Sequence, residues 1–145
     1  DGAGQQSEVL NDYEKGTFTP VMTFGGGNTS LTYHTQVGRY TKIGNRVCCQ
    51  LYLHINAKGS STGTARLGGF PYTSENSSNL YTTGTVWTNT VNMGNSVTTG
   101  YLDPNSVLFK LERQKTSSND GVWSCDESNF SNSSDIMLNF TYTAA

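Results

Sequence analysis

Nowhere in the chain is there an apolar run of about 18 residues, the length a helix needs to cross a bilayer, so membrane insertion is not expected. Charge is equally scarce. Asp, Glu, Lys and Arg make up 14% of the sequence, and 9 basic residues nearly cancel 11 acidic ones. Proteins that grip nucleic acid concentrate their Lys and Arg on one face or along one helix; no such cluster is present, so nucleic acid is not an expected partner. Hydrophobic residues stop at 34%. A chain this polar stays disordered when its net charge is high, but here the net charge is −2, and the reading is a folded domain with a surface of hydroxyls and amides. The opening "DGAGQQSEVL" has neither the basic start nor the apolar centre of a signal peptide, and it carries no Met. Asp1 is read as a cut point in a longer protein. At 145 residues the chain suits one domain.

Helical periodicity is also missing after residue 16, and what replaces it is alternation of period two. In "RVCCQLYLHIN", Val47, Cys49, Leu51, Leu53 and Ile55 fall on one face, with Arg46, Cys48, Gln50, Tyr52, His54 and Asn56 on the other. "SDIMLNFTYT" repeats the pattern with Ile136, Leu138, Phe140 and Tyr142, and "SVLFKLERQ" places Val107, Phe109 and Leu111 inward. "TFTPVMTF", "SLTYHTQ", "GTARLG" and "LYTTGTVWTNTVNM" are weaker strands, rich in Thr and aromatics. Gly44-Asn45 and Gly94-Asn95 read as tight hairpin turns, "LDPNS" as a turn opened by Pro104, and "GGGN", "KGSSTG", "SENSSN" and "TSSNDG" as loops. Short antiparallel strands with frequent turns indicate an all-β sandwich of jelly-roll type.

Three cysteines leave at least one unpaired. Neighbours on a strand point opposite ways, so Cys48 and Cys49 cannot bridge each other or hold one ion. Cys48 and His54 share a face but stand about 20 Å apart along it, too far for a common metal. The cysteines are read as reduced and structural, as in a protein made in a reducing cytosol. No metal or cofactor is expected.

Catalytic signatures are thin. Asp126 and Glu127 are adjacent, with Asp120 and Asp135 near them, and a carboxylate pair can cleave glycosides; adjacency is weak evidence, and solvation of a Ser-rich loop is the preferred reading. His34 and His54 have no Ser or Cys at a recognisable spacing, and "FGGGN" lacks the Lys-Ser or helix of a phosphate loop. No catalytic residue is assigned. Aromatics are the better candidates, because sugar rings stack on Trp or Tyr while amides and hydroxyls take their polar edges. Trp87, Trp123, Tyr81 and Tyr101 each sit among Thr, Asn, Ser or Asp and are the candidate ligand-binding residues; core or subunit-interface roles compete. Sequons at Asn28, Asn76, Asn129, Asn132 and Asn139 are read as incidental.

Three segments carry a resemblance: "LNDYEKGTFTPVMTFGGG", "TYHTQVGRYTKIGNRV" and "KGSSTGTARLGGFPYTS". In the order and spacing of "NDYE-GT-TP", "GRYTKIGN" and "GS-TG" before "GFP", they resemble the C-terminal module of bacteriophage tail fibres and tailspikes. The family often has a second acid and a Trp where this chain has Lys15 and Phe18, and no motif is recognised beyond about Asn76. The resemblance implies a β-sandwich tip domain (residues 17–145) following a linker from an upstream fibre shaft or spike body (residues 1–16). It further implies a homotrimer displayed on the virion after synthesis in the bacterial cytoplasm, and non-enzymatic binding of host lipopolysaccharide or capsule. A trimerisation cap without a ligand is the alternative, followed by an accessory carbohydrate module or a glycosidase.

Overall fold

The computed structural model describes residues 12–94, 96–115 and 121–145. Two antiparallel sheets face each other. The first contains β1 (Tyr13–Phe18), β3 (Thr32–Ile43), β4 (Arg46–Ala57), β11 (Asp135–Thr143) and β7 (Thr85–Asn89), in the spatial order β1-β3-β4-β11-β7. The second runs β2 (Val21–Phe24), β5 (Ala65–Gly68), β9 (Phe109–Lys115), β8 (Ser96–Leu102) and β6 (Thr82–Thr83), with β10 (Val122–Ser124) on the same edge of β9 as β5. A 3-10 turn at Glu127–Asn129 is the helical segment among the described residues. This is the expected all-β sandwich.

Alternation builds the core from both sides. Val47, Cys49, Leu51, Leu53 and Ile55 of β4 and Ile136, Leu138, Phe140 and Tyr142 of β11 are buried, facing Met22, Phe24, Leu67, Leu102, Phe109 and Leu111 from the second sheet. Phe140 is the hub. Its ring lies 4.9 Å from Phe70, 5.3 Å from Phe109 and 5.3 Å from Tyr142, stacked on the last. Each such ring removes a large apolar area from water.

The three motif segments meet at one carboxylate. Glu14 of β1 accepts hydrogen bonds from Tyr40 of β3 and, at 2.6 Å, from Tyr72. These two hydroxyls hold the Glu14 carboxyl below its ordinary range. Gly16 has room for no side chain: a Cβ there would stand 2.4 Å from the Tyr40 ring. The motif therefore records how the edge strand β1 is fastened.

Three expectations change. Strand β1 starts at Tyr13, inside the segment assigned to a linker, and residues 1–11 lie outside the described ones. Val107 is 40% exposed, because it sits in the connection before β9 and only Phe109 and Leu111 belong to the buried alternation. Gly44 makes its hairpin with positive φ, +57°. Gly94-Asn95 instead separates β7 and β8, which belong to different sheets, so it marks a crossing and not a hairpin; Asn95 itself is outside the described residues.

Candidate functional site

On β8 the alternation that buries Leu102 turns Tyr101 outward, and the β8–β9 register sets Tyr101 beside Lys110 and Thr99 beside Glu112. Across the other ladder, Thr83 of β6 pairs with Tyr101, which brings the preceding Tyr81 alongside. The Tyr81 and Tyr101 rings stand 5.9 Å apart at 71°, forming a corner. Tyr81 is 57% exposed. Around this corner opens a groove of about 440 Å³ lined by the two tyrosines, Thr83, Thr99, Glu112, Gln114 and Val122 among others. An aromatic corner edged with hydroxyls, an amide and a carboxylate can stack a flat apolar face and take up polar edges at once.

Lys110 closes one end of this face. Its ammonium is 2.7 Å from the Asp103 carboxylate, donates to the Tyr101 hydroxyl at 3.1 Å and lies 4.8 Å from the Tyr101 ring centre. The Asp103 bond raises the Lys110 pKa further, with Tyr101 adding to the shift.

The outer face of the first sheet is different. Register aligns Val37, Tyr52, Met137 and Trp87 as one row across β3, β4, β11 and β7. Val37, Met137 and Trp87 are 43%, 45% and 50% exposed. A hollow of about 260 Å³ lies between Trp87, Met137 and Gln50, and a second of about 460 Å³ continues past Gln50 to Arg39, Cys48 and Lys15. On this same face the β3–β4 pairing brings His34 and His54 together, ring centres 4.8 Å apart, with His54 3.9 Å from Asp135. The Asp135 carboxylate accepts from the Tyr52 hydroxyl at 2.7 Å and from the Asn89 amide at 3.1 Å, and these bonds, Tyr52 first, hold it below the ordinary range.

Of the four candidate aromatics, the fold thus unites Tyr81 and Tyr101 and puts Trp87 on the opposite sheet. Trp123 belongs with neither. It pairs with Arg113 on the inward side of β9, beyond the end of the core, with the Lys115 ammonium 4.4 Å and the Arg113 guanidinium 5.7 Å from its ring.

Asp126 and Glu127 are occupied by local structure. Asp126 caps the 3-10 turn, accepting from the Ser128 amide at 2.9 Å, while Glu127 accepts from the Gly63 amide at 2.7 Å. Asn129, one of the sequons, is buried and donates to the Asn92 carbonyl at 2.7 Å. Asp120 lies outside the described residues. Cys48 is exposed, Cys49 and Cys125 are buried, and all three are free. Burial pushes the Cys49 and Cys125 thiols up to about 12. No group of three or more His, Cys, Asp or Glu able to hold a metal forms among the described residues.

Sequence reasoning missed Glu112, Gln114, Thr99 and Val122 in the groove and Val37, Tyr52 and Met137 in the row. The outward direction of Glu112, Gln114, Tyr52 and Met137 was readable from the alternation with Phe109, Leu111, Leu51 and Leu138 on the same strands; which outward positions become neighbours depends on lateral register.

No protein-family model matches the sequence, and no curated protein does. A solved structure does resemble the fold. It is described as the crystal structure of Dettilon tailspike protein (gp208), and the similarity covers 92% of this chain at a TM-score of 0.76 and 18% sequence identity. The chain spans 24% of that protein's length. At this identity the likeness is one of fold, and it places the chain's architecture with a tailspike-like β-sandwich.

Proposed function

We propose that this chain is a non-enzymatic receptor-binding domain of a phage tail fibre or tailspike, holding host cell-surface glycan in the Tyr81–Tyr101 groove. The observation that carries the reading is the outward tyrosine pair, Tyr81 exposed and Tyr101 half-buried with the rings at 71°, edged by Thr, Gln and Glu side chains, on a sandwich similar in fold to a tailspike. Stacking and a few hydrogen bonds make each site weak. Avidity from linked copies multiplies it, and in this reading three copies associate through the outer face of the first sheet. Binding of the assembled domain to immobilised host lipopolysaccharide and capsule is the test: retention that Tyr81→Ala reduces about tenfold supports the proposal, and absence of retention on both polymers overturns it.

The row Val37–Tyr52–Met137–Trp87 favours a second reading, in which the domain only locks chains together. Contiguous exposed apolar side chains mark protein contact surfaces. That reading predicts that glycan adsorption is unaffected by any groove substitution and that Trp87 fluorescence resists quenching in the oligomer.

A further inference from the structure

Resting on the glycan reading, we infer that the Tyr81–Tyr101 groove selects neutral sugars, hexose or N-acetylhexosamine units, and rejects saccharides that carry a carboxylate. Glu112 is the charged side chain among the residues lining the groove. The neighbouring cation, Lys110, is already committed to Asp103 at 2.7 Å and to the Tyr101 hydroxyl and ring. The face around the groove carries Lys110 and Arg66, set beside each other by the β5–β9 register, against Asp103 and Glu112, but of these only Glu112 lines the groove itself. A uronate or sialate seated on the tyrosine corner would meet the Glu112 carboxylate with no cation among the residues lining the groove, and like charges brought together in a partly dried site oppose binding. Arg66 stands one strand beyond Lys110, on the side of β9 away from Tyr101. Arg113 and Lys115 project to the other side of β9, around Trp123.

A neutral ring uses the same groups well. One tyrosine offers its face to the C–H side of a pyranose while the other, turned by 71°, borders its rim. The Glu112 carboxylate accepts only, and two adjacent sugar hydroxyls can donate to it in a charge-assisted pair; Gln114, Thr83 and Thr99 supply both donors and acceptors. An acetamido group adds one further donor and acceptor without charge.

The experiment uses the intact oligomer against arrayed bacterial oligosaccharides of matched length, half built from hexose and N-acetylhexosamine and half containing uronate or sialate. Neutral probes are expected to bind at least tenfold more tightly than acidic ones. Tyr81→Ala is expected to weaken the neutral set about tenfold, and Glu112→Gln to shrink the neutral-to-acidic ratio to near one; unchanged melting temperatures establish that both variants fold. Preferential binding of acidic probes that Tyr81→Ala abolishes overturns the inference while leaving the glycan reading standing. A ratio unmoved by Glu112→Gln, or neutral binding unmoved by Tyr81→Ala, also overturns it. Binding of neither set sinks both proposals.

Discussion

The two outer faces of this sandwich obey the same alternation rule and both expose aromatics, yet the register arranges those aromatics differently. On the first sheet Trp87, Met137, Tyr52 and Val37 occupy one register position on four adjacent strands. They form a lateral stripe running across the strands, the surface proposed above for contact between copies. On the second sheet Tyr81 and Tyr101 stand at 71° to each other beside hydroxyls, an amide and Glu112. That corner matches a small amphipathic ring. Residue type alone does not decide what an exposed aromatic does; lateral register does.

Both faces hang on one core, and the largest effect should appear when that core is cut. Phe140→Ala removes the ring that touches Phe70, Phe109 and Tyr142, and a loss of about 4 kcal/mol is expected by urea denaturation, with both faces failing together; survival of one face would break the idea of a common support. Next comes the stripe itself. Met137→Glu should raise the dissociation constant of the oligomer at least tenfold by analytical ultracentrifugation, because a charge buried in a contact lacks a partner, while the protomer still melts as before and keeps its groove. Glycan binding lost per protomer in this variant would merge the faces into one site.

Acid offers a gentler separation. Glu14 and Asp135, both in the first sheet, have carboxyls held low by tyrosine hydroxyls first of all. A folded-state pKa below the unfolded one gives stability that is complete above the unfolded value and is lost as pH falls through the folded one. The Glu14 fastening should therefore weaken below about pH 4, seen as faster hydrogen exchange in residues 13–18. Loosening on going from pH 4 to pH 7 would reverse the sign and refute the assignment. The smallest effect belongs to Trp123, which serves neither face. Trp123→Ala forfeits its contacts with Arg113 and Lys115, about 0.5 to 1 kcal/mol, and should leave assembly and glycan binding unchanged.

Legibility followed the length of the pattern. β4 and β11 could be read with their buried residues because alternation persists through most of a long strand, and each inward position is apolar. β6 has two residues and β10 three, too few for a period to declare itself. Gly94-Asn95 misled because a Gly-Asn pair specifies a bend and says nothing about which sheet the next strand joins. The groove needed Tyr81 and Tyr101, twenty residues apart, to meet through the β6–β8 ladder. No local pattern encodes that meeting. Likewise His34 and His54 meet only because β3 and β4 pair with an irregular register near Tyr33.

The neighbouring cysteines give the molecule a chemical marker on one side only. Cys48 stands exposed on β4, two outward positions from the Tyr52 step of the stripe, whereas the Cys49 and Cys125 sulfurs are enclosed and protonated. A maleimide added to the native protein should therefore tag a single sulfur per chain. Slower tagging would register copies packing over that side, and a second or third adduct would register an interior laid open.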